Sequence, residues 1–129
     1  MLVNKITDYL NKLGVVPETF AVRTGRIEAA TTRAVMVMFP LAGFESTLNQ
    51  GGYYEGNQQI IVRSPDPEEA HTLSEAVAEA LRVEGNPVAV EGFVLKKMRP
   101  RGLPIIYPIN DADFYECSIN FSMRAAKVA

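Results

Sequence analysis

The sequence predicts an α+β domain, with an antiparallel or mixed β-sheet packed against two main helices. Three observations lead there. Two segments carry apolar residues at helical spacing, while several others alternate or form dense β-branched runs. Two helices are too few to cover both faces of a doubly wound sheet. The order helix, strands, helix, strands completes the pattern.

The first helix is read over Leu2 to Leu13, with Leu2, Ile6, Tyr9, Leu10 and Leu13 as its apolar stripe and Gly14 as its stop. Thr19 to Ile27 is short and mixed, with Phe20 and Val22 on one face and a turn at Thr24-Gly25. Arg33 to Phe39 is dense enough for a strand buried on both faces, ended by Pro40. Leu41 to Gly52 reads as a loop that carries Leu41, Phe44 and Leu48. Tyr53 to Arg63 is a long strand whose first half extends beyond the core as an arm or hairpin.

The second helix has the strongest start signal. Asp66 stands at the N-cap, Pro67 at the first helical position and Glu69 where a capping box needs an acid. Ala70, Leu73, Val77, Ala80 and Leu81 form its buried stripe, and Gly85 ends it. A strand follows around Phe93-Val94-Leu95. Pro100, Gly102, Pro104 and Pro108 then break the chain into an irregular loop containing Ile105-Ile106-Tyr107. The last strand, Phe114 to Met123, alternates. Tyr115, Cys117, Ile119, Phe121 and Met123 face the core; Glu116, Ser118, Asn120 and Ser122 face water. Arg124 to Ala129 is expected to fray.

Composition narrows the function. The 129 residues are 47% apolar and 22% charged, which suits one globular domain over residues 1–129. A net charge of −2 and a pI near 5.4 argue against a whole-surface footprint for duplex DNA. One cysteine excludes an internal disulfide and a cysteine metal cluster. Met1-Leu2-Val3-Asn4-Lys5 carries no long apolar stretch, and no run nears the ~18 residues of a membrane span. Synthesis in the cytoplasm, with no membrane partner, is the expectation.

No chemistry assembles from the reactive residues. His71, between Glu68 and Glu75, reads as a surface histidine on an acidic helix face. Cys117 reads as a small buried hydrophobe. Asp111-Ala112-Asp113 reads as turn chemistry before the last strand, because no further oxygen ligands follow in register. The glycines form neither a P-loop nor a dinucleotide fingerprint. No catalytic residue, cofactor or metal is therefore assigned.

Two charged surfaces and a few apolar loop residues remain. Lys96, Lys97, Arg99 and Arg101 place four cations within six residues. Asp66, Glu68, Glu69, Glu75, Glu79 and Glu84 make the second helix region acidic. Either surface can be simply solvated, or the two can meet between subunits, where head-to-tail contacts close rings. Nucleic-acid contact by the basic run is a third reading, weaker because no aromatic platform interleaves it.

One arrangement of segments has a counterpart. The strand Gln59-Ile60-Ile61-Val62-Arg63 passes through a Pro/Asp loop into Glu68-Glu69-Ala70-His71-Thr72-Leu73. Pro100-Arg101-Gly102-Leu103-Pro104 later leads to Asp111 and the strand Tyr115 to Met123. From about Arg33 onward, with the leading helix, this resembles the tail terminator and minor capsid proteins of tailed bacteriophages.

The resemblance implies an α+β virion protein that forms a hexameric ring at the head–tail junction. It implies that the ring ends tail-tube polymerisation and meets the connector, with no cofactor and no catalysis. The implied partners are further copies of the chain, the tail-tube protein and the head–tail connector or adaptor, with DNA only as passing cargo. The implied location is the tail or neck of a virion assembled in the host cytoplasm. A head-completion or adaptor protein of the neck, or a small non-viral binding module, stands as the alternative. The residues expected at subunit or partner interfaces are Phe44, Leu48, Glu68, Glu75, Glu79, Lys96, Lys97, Arg99, Arg101, Ile105, Ile106 and Tyr107.

Overall fold

The computed structural model of the chain describes residues 2–26, 31–39, 45–46, 53–109 and 114–127, with backbone alone for 45–46 and 107–109. Helix α1 spans Leu2–Leu13 and buries Leu2, Val3, Ile6, Thr7 and Leu10. The stripe is therefore rotated from the one expected: Val3 and Thr7 turn inward and Leu13 is exposed. Thr7 is accommodated because its hydroxyl bonds the Val3 carbonyl at 3.1 Å and the Thr24 hydroxyl at 2.7 Å. Gly14 ends the helix with φ +68°, a conformation that costs other residues more.

Eight strands form one mixed sheet among the described residues. They are β1 (Ala21–Thr24), β2 (Ala34–Val37), β3 (Glu45–Ser46), β4 (Tyr53–Ser64), β5 (Val88–Val90), β6 (Phe93–Pro100), β7 (Ile105–Ile109) and β8 (Phe114–Lys127). The main order is β1-β2-β4-β8-β6-β5, with β3 beside β4 and β7 beside β8. Among the described residues only β1 and β2 pair in parallel. The central pair runs in unbroken register from Tyr53↔Ala126 to Ser64↔Tyr115. The first half of β4 is thus no free arm, because β8 supports it along its whole length and β3 flanks it.

Helix α2 (Pro67–Ala80) lies with α1 on one face of the sheet. Alternation fills that face from both halves of the sheet: Val35, Val37, Ile60, Val62, Cys117, Ile119, Phe121 and Met123 join Ile6, Leu10, Val77 and Leu81. Each fully buried aliphatic or aromatic side chain here contributes roughly 1.5–3 kcal/mol. Helix α1 touches β1 and β2 and also β5, and Lys5 reaches Glu91 in the β5–β6 turn at 3.1 Å. The two ends of the main strand order therefore curl around one helix.

The structure revises several segments. Helix α2 ends at Ala80 with Leu81 as its C-cap, not at Gly85, because Val83 leaves to bridge Met98. The strand near Phe93 is a hairpin of β5 and β6, with Gly92 at φ +81° in its turn. Ile105-Ile106-Tyr107 lies in β7 rather than in a loop, paired with Ser118, Cys117 and Glu116. The end of β8 is not frayed, since β6 holds it to Lys127. The face of β8 expected to be wet is buried at Glu116 and Ser118. Leu41, Phe44, Leu48 and Asp111 to Asp113 lie outside the described residues.

Candidate assembly surface

The start of α2 is held by a small polar circuit. Asp66 accepts the Glu68 N–H at 3.0 Å, as an N-cap should. The capping box differs from expectation. The Asp66 N–H donates to the Ser64 hydroxyl at 3.1 Å, and that hydroxyl donates to Glu69 Oε1 at 2.6 Å. Arg33 Nε also donates to Glu69, at 2.9 Å. The Ser64 hydroxyl first, and then the Arg33 guanidinium, hold the Glu69 carboxyl below its ordinary pKa of 4.5. This circuit ties α2 to the ends of β4 and β2.

That anchoring sets which residues of α2 face outward. Glu68, Thr72, Glu75 and Glu79 are spaced to share one exposed stripe. Glu75 meets His71 Nδ1 at 2.8 Å, and Glu79 meets Arg82 at 3.5 Å. Glu84 lies beyond the helix, between Arg82 and Arg99, each 3.3 Å away. The C-terminal end of the acidic region is thus neutralised within the chain, whereas Glu68 has no cation beside it among the described residues.

Strand β7 lies beside the N-terminal half of this stripe. Pro67, Glu68, His71, Thr72 and Ile106 line a shallow cleft of about 330 Å³. Ile105 is 61% exposed, Ile106 40%, and Leu103, just before the strand, 88%. All three are large apolar side chains in water, and Ile106 shares its cleft with the Glu68 carboxylate. Exposed apolar groups that cluster in this way mark interaction surfaces. For Tyr107 the structure gives only its pairing with Glu116.

Lys96, Lys97 and Arg99 of the basic run lie on strand β6, and Arg101 just past its end. Leu95 pairs with Ala125 and Lys97 with Arg124, so Lys96 is the extra residue of a β-bulge. The bulge leaves Lys96 and Lys97 both exposed between the buried Leu95 and Met98. Lys97 stands directly opposite Arg124, a like-charge pair that weakens a sheet. Arg124 is relieved by Glu55 at 3.2 Å, while Lys96, Lys97 and Arg101 make no ion pair among the described residues. Arg99 is drawn to Glu84 within the same chain.

The structure therefore brings Glu68 and Ile106 to one cleft, with Glu75 joined to it through His71, while Ile105, opposite Ser118, lies on the other face of the sheet. Lys96, Lys97 and Arg99 stand apart on β6, with Arg101 just past its end. Phe44 and Leu48 lie outside the described residues. Sequence reasoning missed the pair of Arg63 and Glu116, bonded at 2.9 and 3.0 Å with both side chains nearly buried, because alternation alone assigned Glu116 to a wet face. Of the reactive residues that the structure describes, His71 pairs with Glu75 on the helix surface. Cys117 is buried and its thiol is pushed up by loss of solvent, with a Ser74 hydrogen bond opposing.

Known proteins locate this architecture. The family model described as "Bacteriophage tail terminator protein" matches residues 9–127. A chain of the solved structure described as "Virion of native gene transfer agent (GTA) particle" superposes with a TM-score of 0.58 at 14% identity. That match covers 91% of this chain and 84% of the other. No curated protein matches the chain.

Proposed function

Because this chain belongs to the bacteriophage tail terminator family and is a structural protein of the phage tail, we propose that it forms the ring that closes the tail tube at the head–tail junction. Residues 1–129 act as a single tail-terminator-like domain, six copies form the ring, and no copy is an enzyme. One side of the ring ends tail-tube polymerisation; the other receives the head–tail connector or its adaptor. The ring is assembled in the host cytoplasm and remains in the neck of the virion. DNA passes through it as cargo, and the net charge of −2 suits a passage that should not grip phosphates.

The observation that carries this reading is the family match over residues 9–127. The exposed Ile105 and Ile106 of β7, the latter beside the acidic start of α2, support it, since a ring subunit needs apolar surface beyond its own core. Glu68, Glu75, Glu79, Ile105, Ile106 and Tyr107 serve contacts between subunits, with Phe44 and Leu48 as further interface residues. Lys96, Lys97, Arg99 and Arg101 serve a contact with an acidic surface of a neighbouring tail or head protein.

The test is to add purified protein to tail-tube subunits while they polymerise. Electron microscopy should show tubes that stop growing and carry a six-fold ring at one end. Tubes that lengthen unchanged, with bare ends, would rule the reading out.

A further inference from the structure

We infer that successive copies join through two particular surfaces, with the β1 side of one chain docking onto the β7 side of the next. The inference rests on the ring reading above and adds which faces meet.

Pairing defines where the two surfaces lie. One level of the sheet runs β1-β2-β4-β8-β7: β2 pairs with β4 at Ala34↔Arg63, and β7 pairs with β8 at Ile105↔Ser118. β1 and β7 are the two ends of that row. Among the described residues neither has a partner on its outer edge. β6 follows β7 along the same edge of β8 and is itself flanked by β5. A head-to-tail ring requires two different surfaces on each subunit, and the far end of the row provides the other.

Exposed apolar groups divide between those two ends. Among the described residues the exposed large hydrophobics are Leu103, Ile105 and Ile106 at β7, and Leu13 and Phe39 on the β1 side. Phe39 lies over Gly25, just after β1, so closely that a Cβ at Gly25 would collide with its ring. Leu13 ends α1, the helix packed on β1 and β2.

Charge divides in the opposite sense at the two ends. The β1 side presents Arg23 and Arg26, both exposed and without an ion pair among the described residues. The β7 side presents Glu68, which lines the cleft of about 330 Å³ whose apolar wall is Ile106, and Glu75, bonded at 2.8 Å to His71 of the same lining. The guanidinium stems of Arg23 and Arg26 can lie on apolar surface while their heads meet those carboxylates. Pro108 in β7 offers no N–H to a further ladder, so side chains rather than a continuous sheet carry the contact.

The experiment uses the full chain, with assembly read by sedimentation velocity and electron microscopy and folding by circular dichroism. Arg23→Glu/Arg26→Glu and Glu68→Lys/Glu75→Lys should each assemble at least about tenfold more weakly than the parent chain. An equal mixture of the two should recover rings with alternating subunits, because every contact in the mixture is again complementary. If a reversed variant fails to fold, the neutral pairs Arg23→Gln/Arg26→Gln and Glu68→Gln/Glu75→Gln replace it, with weakened rings expected from each. Parent rings with both variants unaffected would overturn these surfaces while leaving the ring intact. Folded variants that fail alone and in mixture would overturn the pairing of the two ends. A parent chain that stays monomeric alone and on tail tubes would overturn the ring reading itself.

Discussion

Arg63 and Glu116 face each other across β4 and β8 with side chains only 11% and 12% exposed. Arg63 also stacks over the Phe114 ring at 4.2 Å and donates to the Thr31 carbonyl at 3.1 Å. Taking two charges out of water is costly, and these partners offset it. Removing one member should therefore hurt more than removing both. Glu116→Ala should lower unfolding stability by roughly 3 kcal/mol in urea titrations, and Arg63→Met/Glu116→Leu should lie closer to the parent. Glu69 gives a pH dependence. Its folded-state pKa is lowered, so its contribution is present above the unfolded value of 4.5 and is lost as pH falls through the folded one. Melting curves below about pH 5 should fall less steeply for Glu69→Gln than for the parent. The difference should be small, because the carboxylate is more than a third exposed.

Strand β6 shows how one element serves both packing and contact. Its bulge lets Leu95 and Met98 both reach the core while two lysines in between reach water. Lys97 opposite Arg124 brings the sheet no stability, so a cation there serves something outside the sheet or nothing. Those two possibilities give opposite results in one experiment. Lys96→Glu/Lys97→Glu should leave the isolated chain as stable or more stable by a few tenths of a kcal/mol. If the lysines meet an acidic partner, the same variant should bind tail tubes or connector more weakly at low salt. Unchanged binding would show the pair to be merely solvated.

At the scale of the molecule, one face of the sheet is consumed by α1 and α2 and the sheet curls around α1. What remains for assembly is the outer edge of β7, the β1 side and the cations of β6. Their positions differ enough that a ring contact and a contact with another tail protein need not compete. Tube capping and charge-swap rescue examine these two levels separately. The first asks whether a ring ends the tube; the second asks which faces close it.

The two helices, the long central strands and the resemblance to tail terminators were legible in the amino-acid order alone. Those features follow from local rules: apolar spacing, Gly14 and Asp66 as caps, and β-branched runs. It also picked out Ile105 and Ile106 as surplus apolar residues, although it placed them in a loop, because prolines around β7 mask a strand held by pairing to β8. The burial of Glu116 with Arg63, the bulge at Lys96 and the place of β1 and β7 at the ends of one row came to light with the folded chain. Each of these depends on which distant strand lies alongside. Alternation fixes which side chains share a face, but the neighbours across that face come from pairing between strands distant in sequence, as between Glu55 and Arg124, 69 positions apart.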